Sequence, residues 1–176
     1  MPTPPSSPKT VLLIGASRGL GFAMVEELLK RGDKVVATGR ESSKDALYRL
    51  AGKYPDSLEV ETADITLPEQ VKALHERLAD RRFDLLFVNA GVKNDDRETI
   101  ADVSTEEFNR VMVTNALSPM RVIETFKDRV TLTGTLGVMS SGQGSLTNNT
   151  NGKFEVYRAS KSALNMLMRS CSDLRL

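Results

Sequence analysis

Tyr157 and Lys161 stand four residues apart in the run Tyr157-Arg158-Ala159-Ser160-Lys161. On a helix that spacing puts both side chains on one face. A free phenol has a pKa of about 10, too high for an effective phenolate base near neutrality. A neighbouring ammonium favours the phenolate, and lowering its pKa by about three units takes roughly 4 kcal/mol. A partly solvated lysine alone falls short of that, so a second positive charge is required. The chemistry such a pair suits is proton transfer to or from a developing alkoxide.

A second constellation binds rather than reacts. Gly15-Ala16-Ser17-Arg18-Gly19-Leu20-Gly21 follows an apolar run and opens a helical one. Spaced glycines there allow a tight turn and a close backbone approach to a pyrophosphate. The helix N-terminus adds unpaired N–H groups and partial positive charge. The spacing, G-x-x-x-G-x-G, differs from the G-x-G-x-x-G of many dinucleotide folds. Further on the chain reads Thr38-Gly39-Arg40, with no acid before Arg40. An acid at that point would bind the 2′-hydroxyl of NAD, whereas arginine suits the 2′-phosphate of NADP. Arg18 and Arg40 therefore favour NADP(H) over NAD(H), with Glu41 as a nearby opposing charge. The nicotinamide, positive when oxidised, is the second charge that the tyrosine needs.

The elements that position these residues follow from periodicity. Apolar runs predict strands over 10–14, 34–38, 58–62, 83–88 and 137–140, the last beginning as early as Thr135. Helical spacing predicts helices over 20–31, closed by Gly32, and over 45–53. Thr66 with Glu69 reads as a capping box opening a helix with Val71, Leu74 and Leu78 inward and His75 on its surface. Ser104 with Glu107 opens a long helix through Phe126. The last helix runs over 156–174, with Leu164, Leu167, Cys171 and Leu174 on one side. Strand and helix alternate throughout, which predicts an α/β, doubly wound parallel sheet of five strands, Rossmann-like, with right-handed crossovers. Residues 9–176 form one domain in this reading. Residues 1–8, which hold four of the seven prolines, form a disordered arm.

Composition narrows the function. Lys plus Arg is 24 and Asp plus Glu is 23, giving a net charge of +1, with no basic excess for nucleic acid or an anionic membrane. No apolar run reaches the roughly 20 residues of a membrane span. The lone cysteine, Cys171, excludes an internal disulfide framework and fits a reducing, cytoplasmic compartment. A single histidine, His75, beside that cysteine argues against a zinc site and predicts no metal.

With these residues in view, the chain resembles the short-chain dehydrogenases/reductases. Asn89-Ala90-Gly91 after the fourth strand, Asp64 after the third, Asn115 in the long helix, Ser140-Ser141 after the fifth strand and Tyr157-x-x-x-Lys161 occur in that family's order. The long loop before Tyr157 and the wording YRASKSALN look most like its C-factor-like carbonyl reductases. The resemblance implies a catalytic set of Asn115, Ser141, Tyr157 and Lys161. In it Ser141 donates to the substrate carbonyl, Asn115 holds a water, and Lys161 also holds the nicotinamide ribose. It implies that Asp64 contacts the adenine ring. It further implies a small carbonyl or alcohol substrate, and a homodimer or homotetramer paired through the helices of 104–126 and 156–174. Taken singly, Tyr157, Ser140 and Ser141 read first as packing and turn residues; the alternative for the two arginines is that they are ordinary surface residues. Family members continue through a further helix and two strands. The reading therefore leaves a second function open, a truncated and inactive nucleotide-binding or dimerising relative. It also expects the fifth strand to be an open edge and the last helix to expose an apolar patch.

Overall fold

The computed structural model describes residues 7–172; residues 1–6 of the expected arm and Leu174 of the last helix lie outside them. Five strands pair in parallel in the order β3-β2-β1-β4-β5, where β1 is Thr10–Ile14, β2 Lys34–Gly39, β3 Leu58–Thr62, β4 Phe83–Val88 and β5 Val130–Val138. The helices are α1 (Gly19–Lys30), α2 (Asp45–Ala51), α3 (Pro68–Arg77), α4 (Thr105–Met112), α5 (Ser118–Phe126) and α6 (Glu155–Ser172).

Alternate residues of each strand serve opposite faces of the sheet. Leu12 and Ile14 of β1, with Leu86 and Val88 of β4, pack beneath α3, α5 and α6 through Leu74, Ile123 and Leu164. Val11 and Leu13, with Val35 and Ala37, pack beneath α1 and α2 through Val25, Leu29 and Leu47. Both faces are covered, as the near-continuous apolar runs of the strands require.

The first helix ends as expected. Gly32 takes φ +86°, its N–H bonds the Leu29 carbonyl, and the Asp33 N–H reaches the Leu28 carbonyl. That is the Schellman arrangement, which needs a left-handed residue after the C-cap.

Four expectations are corrected. The helix after β3 is not capped by Thr66, because the Asp64 carboxylate takes both the N–H and the hydroxyl of Thr66, at 2.9 and 2.7 Å. Leu67 is the N-cap, and Pro68 starts the helix without an N–H to satisfy. The long helix after Ser104 does reach Phe126, but not as α-helix throughout: Val113–Leu117 forms a π-turn between α4 and α5. The fifth strand begins at Val130 rather than near residue 135 and ends before Ser140. Its register jumps from Phe83–Val130 to Leu85–Thr135, so Thr131 to Gly134 bulge out opposite Asp84 alone. Leu132 at the tip of the bulge is fully exposed. Finally, Leu167 of α6 is 41% exposed rather than inward, beside an exposed Met166. Leu164 and Cys171 do pack on the core.

Candidate functional site

All the expected binding residues gather at the C-terminal ends of the strands, where open α/β sheets hold ligands. The turn after β1 is built for close approach. Gly15 has φ +80°, and a Cβ there would lie 2.7 Å from the backbone of Ala90. A Cβ on Gly21 would lie 2.4 Å from the Gly15 carbonyl. Asn89 Nδ2 donates to that same carbonyl at 2.8 Å, and the Gly15 N–H donates to Thr38 Oγ1 at 3.0 Å. The turn is thus fastened from β4 on one side and β2 on the other. The first turn of α1 has no side-chain cap and no acid, so its N–H groups face the cleft free for an anion.

A cleft of about 440 Å³ runs over this turn. Gly15, Ser17, Arg18 and Gly19 form its floor, Arg40 and Asp64 one end, and Asn89, Ala90 and Gly91 the side against β4. The Arg18 and Arg40 side chains make no ion pair or hydrogen bond among the described residues. Glu41, in contrast, is held by Lys44 Nζ at 2.7 Å. Ser43 Oγ donates to Ser17 Oγ at 3.2 Å across the same end. The Asp64 carboxylate shapes the turn through Thr66, while its N–H donates to Gln70 Oε1 at 2.8 Å.

A second hollow of about 570 Å³ shares Arg18, Asn89 and Gly91 with the cleft and adds Leu20, Tyr157 and Lys161. Lys161 is 3% exposed. Its Nζ lies 5.9 Å from the Tyr157 ring centroid and donates to the Met139 carbonyl at 2.7 Å. Burial lowers the pKa of its ammonium below the usual lysine value. Asn115, fully buried in the π-turn, lies behind this wall: Oδ1 accepts from Val92 N–H at 2.8 Å, and Nδ2 donates to the Val92 carbonyl and to Ser160 Oγ. Ser141 is not part of that lining. Its hydroxyl accepts from Gln143 N–H, and it lines a neighbouring hollow with Asn148 and Arg158. Ser140 Oγ donates to Asn165 Oδ1 at 2.5 Å.

The approach to Tyr157 is a left-handed turn. Gly152, Lys153 and Phe154 all have φ near +60°, a costly conformation for the last two. Arg158 holds it, its Nε donating to the Lys153 carbonyl and Nη2 to the Gly152 carbonyl. Two residues that sequence reasoning missed belong to the site. Arg110 lines both cavities, anchored by Glu107 and donating to the Lys93 carbonyl. Ser160 bonds Asn115 from 45 residues away. Spacing pairs Arg110 with Glu107 on one helix face, but its reach to Lys93 and the Ser160–Asn115 bond are made only by the fold.

Comparison with known proteins agrees with this fold. The family described as short chain dehydrogenase matches residues 9–174. The chain is 32% identical over 161 residues to 1-hydroxy-2-glutathionyl-2-methyl-3-butene dehydrogenase of Rhodococcus sp. strain AD45, covering 90% of this chain and 67% of that one. It resembles a Burkholderia multivorans structure with bound NADP, assigned to the short-chain dehydrogenases/reductases, at 55% identity and TM-score 0.90, covering 93% of this chain and 72% of that one. It also resembles a carbonyl reductase from Pseudomonas aeruginosa PAO1 in complex with NADP, at 33% identity and TM-score 0.89, covering 95% and 73%. Several other curated relatives are spanned over only 42% to 69% of their length.

Proposed function

The chain belongs to the short-chain dehydrogenase family, and from that premise we propose that it is an NADP(H)-dependent oxidoreductase interconverting a small carbonyl compound and its alcohol. One observation carries the reading: the glycine-turn cleft and the hollow holding Tyr157 and Lys161 adjoin, sharing Arg18, Asn89 and Gly91 in their walls. A dinucleotide lying in the cleft would reach the tyrosine. The backbone of Gly15 to Gly21 would hold its pyrophosphate, and Asp64 with Asn89 to Gly91 its adenosine side. Arg18 and Arg40, free of acidic partners, would hold a 2′-phosphate. Neutralisation of Glu41 by Lys44 removes the charge that would oppose it.

When bound, the nicotinamide supplies or accepts the hydride. Tyr157 donates the proton to the developing alkoxide in reduction and removes it in oxidation. Lys161, with Nζ fixed by the Met139 carbonyl, presents positive charge to the Tyr157 ring and holds the nicotinamide ribose. Ser141, which lines the neighbouring hollow and whose hydroxyl accepts from Gln143 N–H, would be the hydrogen-bond donor to the carbonyl oxygen. Asn115 holds a water on the proton path to Lys161. A homodimer or homotetramer is the expected assembly, measured by light scattering.

Two measurements test the reading. Fluorescence titration gives tighter binding of NADPH than of NADH, and Arg40→Ala weakens NADPH roughly tenfold while sparing NADH, as loss of a charge-assisted hydrogen bond does. Equal affinity for the two cofactors overturns the phosphate assignment. Tyr157→Phe abolishes carbonyl reduction and keeps NADPH binding; unchanged turnover removes Tyr157 from the chemistry. Tight NADPH binding by a wild-type chain without any turnover favours the nucleotide-binding, non-catalytic reading.

A further inference from the structure

We infer that Ser160, outside the catalytic set proposed above, is the positioning residue that fixes the Asn115 side chain between α6 and the loop after β4. Ser160 is fully buried, and its hydroxyl donates to the Tyr157 carbonyl at 2.7 Å. A hydroxyl has one proton, so the same oxygen faces Asn115 only as an acceptor. It accepts from Asn115 Nδ2 at 2.9 Å. Nitrogen is therefore the end of the Asn115 amide that Ser160 holds, the same end that the Val92 carbonyl selects. With nitrogen toward Ser160 and the Val92 carbonyl, the amide oxygen is left for the Val92 N–H. A flipped amide would set donor against donor and acceptor against acceptor at Val92.

The consequence reaches the cleft wall. Val92 and Gly91 line both cavities. A Cβ on Gly91 would lie 3.4 Å from Asn115 Oδ1 and 3.5 Å from Lys161 Nζ. Ser160 therefore pegs three segments at one point: the wall after β4, the π-turn, and the helix turn carrying Tyr157 and Lys161. The peg is an acceptor-only contact set by the Tyr157 carbonyl, and removing one oxygen atom dissolves it.

Backbone amide hydrogen exchange of the full chain, followed by NMR without cofactor, tests this. Alanine favours helix and is smaller than serine, so Ser160→Ala folds. Exchange at the Val92 amide accelerates at least tenfold in Ser160→Ala, while Val11, Leu12 and Leu13 of β1 keep their rates. An unchanged Val92 overturns the inference, as does a uniform acceleration that includes β1. In an Asn115→Ala background, Ser160→Ala changes Val92 exchange less than twofold; a further tenfold rise there shows that Ser160 acts by another route and also overturns it. No turnover enters the readout, so a failure of the oxidoreductase reading leaves this test standing, and the reverse.

Discussion

Lys161 combines a charge with burial, and the consequence is measurable. Its Nζ meets a neutral carbonyl, Met139, and no carboxylate pairs with it among the described residues. Burial therefore lowers its pKa, with no opposite charge to offset the loss of water. Unfolded, the side chain returns to about 10.4. Between the lowered folded value and that value the unfolded chain binds more protons, so stability rises with pH across the window. Urea midpoints of wild type should climb relative to Lys161→Met as pH rises toward 10, a trend that a paired, exposed lysine would reverse. Tyr157 and Lys161 were legible because their types and four-residue spacing carry the chemistry. The glycine turn was legible because strand, glycines and helix adjoin in sequence. Ser160 and Arg110 were not, since their contacts with Asn115 and with the Lys93 carbonyl are set by long-range packing.

At the scale of elements, helix starts divide by what their neighbours want. Ser104 Oγ accepts from Glu107 N–H at 3.1 Å, the cap its pattern predicts. The reciprocal arm of the box is lost, because Glu107 pairs with Arg110, which holds the Glu107 carboxyl below its usual pKa. Thr66 carries the same pattern and forms no cap, since an aspartate two residues earlier captures it. Calorimetry should find Ser104→Ala less stable by about 1 kcal/mol. The π-turn at Asn115 escaped periodicity altogether: one extra residue in a turn leaves the apolar spacing on either side intact. Such turns often mark functional positions.

For the whole molecule, a doubly wound parallel sheet of five strands followed from alternation and handedness, and the sheet is that, in the order β3-β2-β1-β4-β5. The bulge of β5 did not, because Thr131 to Gly134 carry no apolar signal apart from Leu132. In the described sheet β5 has β4 as its sole neighbour, and Leu132 projects from that edge. Leu132→Lys should therefore leave stability within about 0.5 kcal/mol, since no packing is lost. The same change should lower self-association seen by light scattering at high concentration; a marked loss of stability would show that Leu132 packs on something.

The two faces of the sheet also differ in when they can exist. Every fully buried member of the face under α1 and α2 falls between Val11 and Leu58. The opposite face draws on residues as distant as Leu12 and Leu164. Translation proceeds from the N-terminus, and a growing chain can condense units as they emerge. The buried members of that face are thus all made before β4, whose Leu85 and Phe87 then pack against them. The phosphate cradle gains its tie to Thr38 early in synthesis and its tie to Asn89 once β4 is made, while Tyr157 and Lys161 on α6 follow later still to close the other side.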